Sequence, residues 1–168
     1  MKLVAGAILL LAVSGCSTIH HPPVSADSLP TRFEVSVGGA LGSAYVVQLA
    51  GEHLRYTASS GPHFAHPRIR QITPTAEQWT TFWREAEATE IWRWRPAYEV
   101  PPPDVVCDGT QWHIDISYAG RSVRSSGDNA YPADSTPTKT GTDVAVPTQR
   151  FQRFTAAVRD LIGGRSFE

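Results

Sequence analysis

The chain has 168 residues, of which 41% are hydrophobic and 18% charged, with 15 Lys and Arg against 16 Asp and Glu. That composition excludes a disordered polyelectrolyte, and the length excludes two full domains. A near-neutral chain carries no broad basic field, so nucleic acid is not an expected partner.

Residues 1–16 run from one cation, Lys2, through an apolar stretch Leu3 to Val13, to the tetrad Val13-Ser14-Gly15-Cys16. The apolar stretch is shorter than the roughly 20 residues of a membrane-spanning helix and suits an export signal. The tetrad resembles the lipobox of bacterial lipoproteins, in which an aliphatic residue and two small ones precede an obligatory Cys. The resemblance implies a signal peptide at 1–15, cut before Cys16, with the Cys16 thiol carrying a diacylglyceryl group and the new amine often acylated. Two or three such chains hold stably, since each buried methylene contributes about 0.8 kcal/mol. Ser17 stands where an Asp would imply inner-membrane retention, so the implied place is the outer membrane, facing the periplasm. Cleavage leaves 153 residues with a formal charge of −2, enough for one core. Cys107 is then the lone thiol of the mature domain and has no intramolecular partner. Residues 16–31, polar and Pro-rich without periodicity, read as a flexible tether carrying the lipidated Cys16.

A single domain is expected over 32–164. Phe33, Val35 and Val37 alternate with Arg32, Glu34 and Ser36, which predicts a half-buried strand. A glycine-rich break at 38–42 follows, then strands over 44–50 and 54–58 around a turn. A loop at 59–67 leads to a short fourth strand at 68–72. Thr75 and Gln78 fit a capping box, and Trp79, Phe82, Trp83 and Ala86 recur on one helical stripe. Trp92-Arg93-Trp94-Arg95 alternates before Pro96, and Pro101–Pro103 break regular structure. Trp112, Ile114, Ile116 and Tyr118 share one face of a strand, with His113, Asp115 and Ser117 on the other. A two-residue turn at Ala119-Gly120 sets Ile116 opposite Val123 and Asp115 opposite Arg124. Residues 132–147, rich in Ser, Thr, Pro and Gly, read as a mobile loop. A last helix over about 148–162 carries Phe151, Phe154, Val158, Leu161 and Ile162 and stops at Gly163-Gly164, leaving 165–168 as a tail. The predicted class is α+β: an antiparallel sheet of meander plus hairpin, with two amphipathic helices on one face.

The segments Asp108-Gly109-Thr110-Gln111-Trp112 and Ser126-Gly127-Asp128-Asn129-Ala130-Tyr131-Pro132 resemble segments of small exported bacterial proteins that have no assigned activity. The glycine-rich stretch Gly38-Gly39-Ala40-Leu41-Gly42 and its following strand are similar to the strand pair opening such domains, although a Cys frequent there is missing. The resemblance spans about two-thirds of the mature chain. It implies an architecture and no mechanism.

Three chemistries can be weighed on the residues. His113, Asp115 and Ser117 share a strand face at steps of about 6.8 Å, but Asp115 lies between base and nucleophile, the wrong order for a relay. The row reads as a solvated face with Asp115 paired to Arg124. A small periplasmic hydrolase using His113 with Asp115 or Cys107 is the alternative, and no G-x-S-x-G elbow supports it. His63 and His66, with His53 or the tether's His20 and His21, offer at most a weak metal site, because zinc wants three or four fixed ligands. No cofactor is expected. Trp92 and Trp94, flanked by Arg, offer a partly exposed platform for a sugar ring or a peptide, unless both cover the sheet edge. Asn129 and Tyr131 follow Gly127 in a segment that reads first as a turn and second as a partner contact. The expected role is a membrane-anchored, non-catalytic binding or accessory module for an envelope protein, peptide or glycan.

Overall fold

The computed structural model describes residues 29–39, 42–60, 67–99, 109–133 and 146–167. Cys16 and the lipobox, the tether as far as residue 28, His20, His21, His63, His66, Cys107 and most of the 132–147 loop lie outside the described residues. The described chain is α+β. Seven strands form one sheet: β1 (Arg32–Gly39), β2 (Ala44–Ala50), β3 (His53–Ser59), β4 (Arg68–Ile72), β5 (Ala97–Glu99), β6 (Thr110–Tyr118) and β7 (Arg121–Asp128). Two helices, α1 (Ala76–Ala88) and α2 (Gln149–Leu161), complete the fold.

The spatial order is β4-β3-β2-β1-β6-β7-β5. Neighbours pair antiparallel except β5, which runs parallel to β7. The period-2 pattern of β1 decides which side is buried. Phe33, Val35 and Val37 are buried, and they sit opposite Ile116, Ile114 and Trp112 of β6. The β6–β7 register is the expected one, with Ile116 facing Val123 and Asp115 facing Arg124. Ala119 (φ 49°) and Gly120 (φ 75°) both take left-handed backbone, the twist that joins antiparallel strands through two residues.

The caps are also where the residue pattern puts them. Gln78 N–H donates to Thr75 Oγ1 (3.2 Å) and Thr75 N–H donates to Gln78 Oε1 (2.9 Å), satisfying two orphan donors at the start of α1. Thr148 begins α2 by accepting from Phe151 N–H (3.3 Å), while its own hydroxyl donates to the Pro132 carbonyl (2.6 Å). Gly163 and Gly164, at φ 74° and 75°, end α2. Gly164 N–H returns to Arg159 O (2.9 Å) and Gly163 N–H to Asp160 O (3.0 Å), the Schellman closure.

Aromatic rings join helices to sheet. Phe33 of β1 meets Trp79 and Phe82 of α1 at centroid distances of 5.6 and 5.4 Å, and Trp83 lies flat on Tyr118 of β6 at 3.7 Å. Trp112 of β6 meets Phe151 of α2 at 5.1 Å. Such pairs add about 0.5–1.5 kcal/mol each beyond the area they bury.

Three segments differ from expectation. The Trp92–Arg95 alternation is not a strand: Glu90 turns the chain at φ 52°, and Ile91–Arg93 form a short 3-10 turn. Behind the prolines lies β5, held because Ser126 N–H donates to Pro96 O (3.1 Å) and Ser125 Oγ donates to Arg95 O (2.7 Å). Residues 165–167, read as a tail, pack on the sheet. Phe167 is 1% exposed against Tyr45, and Tyr56 Oη donates to Ser166 O (2.8 Å).

Candidate binding groove

Trp94 is 7% exposed, donates its indole N–H to Thr89 O (3.0 Å) and packs on Phe154. It belongs to the core, which corrects its reading as half of an exposed platform. Trp92 is half-buried, with its N–H on Glu87 Oε1 (2.8 Å) and the Arg121 guanidinium over its ring at 4.6 Å. The side chain that satisfies its indole also neutralises the arginine covering it.

Asn129 and Tyr131 serve a clasp between the two segments that carried the family resemblance. Thr110 N–H donates to Asn129 Oδ1 (2.8 Å), Asn129 N–H donates back to Thr110 O (3.0 Å), and Trp112 Nε1–H donates to Ala130 O (2.8 Å). Asn129 reaches this position at φ 50°, a conformation Asn tolerates better than most residues. A Cβ on Gly127 would fall 2.3 Å from Ala130 O and 2.4 Å from Trp112 Nε1, so only glycine lets indole and loop close together. Tyr131 is 2% exposed; burial pushes its hydroxyl pKa up against a hydrogen bond with Thr110, and Asp128 adds to the rise. Its ring packs on Phe151 at 4.8 Å, so it is chiefly part of the core.

His113 stands on the opposite sheet face, between Ser36 and Ser126 in register, and Asp115 is committed elsewhere. Asp115 Oδ2 accepts from Arg32 Nη1 (3.0 Å) and Arg124 Nη2 (2.6 Å). Burial disfavours its charge, but the hydrogen bonds from Arg124 and Arg32 outweigh burial and hold the carboxyl below its ordinary value. No hydrogen bond joins it to His113. His53 Nδ1 is 2.8 Å from Thr73 Oγ1, and no cluster of three metal-binding side chains occurs among the described residues.

The feature with chemical potential lies at the other end of the sheet. The meander register carries one face outward from β1: Val37 opposes Tyr45, Tyr45 opposes Ala58, and Ala58 opposes Arg68. One step along, Val47 opposes Tyr56 and Tyr56 opposes Arg70. The face that is apolar at β1 therefore becomes aromatic at β2 and β3 and cationic at β4. Beyond the Gly163-Gly164 stop, Arg165 and Ser166 close the far wall. The result is a groove of about 520 Å³ with Tyr45, Tyr56 and Ala58 as its floor and Arg68, Arg70 and Arg165 around it.

Its electrostatics set it apart. Arg32, Arg84, Arg93, Arg121, Arg124, Arg150 and Arg153 all stand in ion pairs. None of the lining side chains of the groove is acidic, and no carboxylate among the described residues pairs with Arg68, Arg70 or Arg165. Arg70 and Arg165 each spend one N–H on a backbone carbonyl, Ile69 O (3.0 Å) and Ile162 O (2.5 Å), and keep the rest of their donor forks. Tyr56, by burial first and by the neighbouring Tyr45, has its pKa pushed up while Arg165 opposes the rise, so it stays a neutral donor. A half-enclosed site with uncompensated guanidinium groups favours an oxyanion, which each fork can bind through two parallel hydrogen bonds.

Sequence reasoning passed over these arginines because the overall charge is near zero. A signal was present in Arg68-Ile69-Arg70-Gln71-Ile72: a meander strand whose arginines share a face with Ile72 must turn charge toward the inward side. Arg165 left no such trace. No protein-family model matches the chain, and no curated protein matches it.

Proposed function

We propose that the chain is an envelope lipoprotein, acylated at Cys16 and held at the outer membrane, whose domain is a non-catalytic binding module for an anionic ligand. Val13-Ser14-Gly15-Cys16 supports the anchor, and the Pro-rich residues that follow give it reach. Both helices lie on the same sheet face, toward its β1–β6 side, and leave the β2–β4 end for the ligand. The observation that carries the binding role is the groove whose three arginines lack carboxylate partners among the described residues, while seven others there are paired. Asp115 bound by two arginines supports a non-catalytic reading of the His113 face.

Two measurements test the halves separately. Intact mass of the protein from a bacterial host is expected to give a chain starting at Cys16 with diacylglyceryl added, and Cys16→Ser is expected to abolish that mass. Unmodified residue 16 behind its leader would overturn the anchor. Phosphorus NMR of inorganic phosphate is expected to broaden with the wild-type chain and not with the double variant Arg68→Gln/Arg70→Gln. Equal broadening with both proteins would remove the groove as the binding site.

A further inference from the structure

The geometry points to an acidic saccharide as the groove's ligand class: a sugar ring bearing a carboxylate or phosphate, its oxyanion on Arg68, Arg70 and Arg165 and its ring against Tyr45. This deepens the anion-binding reading and rests on it.

Three observations select a sugar over a simple anion or a peptide. First, the groove has an aromatic floor beside its charges. Tyr45 is half-buried and stacks on Tyr56 (6.5 Å, 18° between planes), with Phe167 behind it at 6.4 Å. A ring held this way presents a rigid apolar plane with a hydroxyl at its edge, which suits the C–H face of a pyranose. Secondly, the wall is rich in uncommitted hydroxyls. Ser43, Ser59 and Ser60 line it, and among the described residues neither their side chains nor the Tyr45 hydroxyl bonds to any other group. Tyr56, by contrast, is used up on Ser166 O. Hydroxyls that both donate and accept match a ligand covered in hydroxyls. Thirdly, aliphatic surface is nearly absent among the described residues: Ala58 is the lone aliphatic side chain of their lining, which offers little to a peptide's apolar side chain. A volume of about 520 Å³ lies within the range that takes a small ligand.

The test uses the full acylated chain in detergent micelles and ligand-observed saturation-transfer NMR with D-glucuronate, D-glucose and acetate. Glucuronate is expected to bind with its ring protons saturated, and glucose and acetate about tenfold or more weaker, since each keeps one kind of contact only. Arg68→Gln, an exposed change that spares the fold, is expected to weaken glucuronate about fivefold to tenfold. Tyr45→Leu is expected to bring glucuronate down to acetate's level while leaving acetate unchanged, and circular dichroism checks that this variant is folded. Glucose 6-phosphate against inorganic phosphate repeats the comparison for the other oxyanion. Preference for either acidic sugar over its free anion supports the inference and names the anion. If acetate equals glucuronate and phosphate equals glucose 6-phosphate, the sugar is overturned and the anion reading survives. If no anion binds at all, both fall.

Discussion

At the β1–β6–β7 end of the sheet every arginine is neutralised: Arg121 pairs with Glu87, and Arg32 and Arg124 share Asp115. At the β3–β4 end Arg68 and Arg70 line a groove with Arg165 and meet no carboxylate among the described residues. The first end is packed ring on ring, with Trp112 touching Trp94, Tyr98 and Phe151. The second has two tyrosines and open volume. Residue types alike in sequence thus do opposite work. At the first end the carboxylate of Asp115 is nearly buried, and its charge has to be paired because desolvation is expensive. Where the sheet runs past its helices, charge can stay unpaired at modest cost because water still reaches it. The first end holds the fold together, and the second is free to hold something else.

This contrast predicts a gradient of effects. Gly127→Ala is expected to be the most damaging change, costing about 3 kcal/mol in urea unfolding, because the new methyl has backbone oxygen and indole in its place. A loss under 1 kcal/mol would show that the clasp can relax. Asn129→Ala is expected to cost about 2 kcal/mol, since it strands Thr110 N–H and puts alanine at positive φ. Asn129→Gly, which restores the backbone freedom but not the acceptor, separates the two contributions.

Asp115→Asn is expected to cost about 1 kcal/mol at neutral pH, because its arginine partners are largely exposed. Its pH dependence has a definite sign. A carboxyl with a lowered folded pKa stabilises above the ordinary Asp value near 3.9 and loses that contribution as pH falls through the folded value. Wild type and Asp115→Asn should therefore converge in stability as pH falls through that folded value, and parallel curves would refute the pairing. At the far end of the gradient, Arg70→Gln is expected to change stability by less than about 0.5 kcal/mol while weakening oxyanion binding. If it destabilises like Asp115→Asn, the groove arginine is structural and the two ends do not differ.

Much of this architecture was readable from local pattern. Period-2 alternation placed β1 and β6, apolar runs between turn residues placed the strands of the meander, and the turn residues set the β6–β7 register to the residue, because Ala119-Gly120 admits one short closure. The capping box and the paired glycines marked helix ends for the same reason: a few neighbouring backbone groups must be satisfied by whatever is nearby. The candidate site was far less legible. Trp94 and Tyr131 carry the residue types of a binding surface and turn out buried, since an aromatic ring has the same composition on either side of a surface. The three-residue β5 was too short for any period to register, and it exists because β7 offers Tyr98 a place beside Trp112.

By itself, then, the chain's order of residues determined most of its strands and both helices, the antiparallel register of its hairpin, the Asp115–Arg124 pair and the lipobox resemblance, all products of spacing along a few residues. Only the tertiary structure decided that Gly127 makes room for Trp112, that the last residues fold back on Tyr56 across 110 positions, and that Arg165 joins Arg68 and Arg70 around one groove. Close approach between distant segments depends on how whole layers pack, and no local period encodes it.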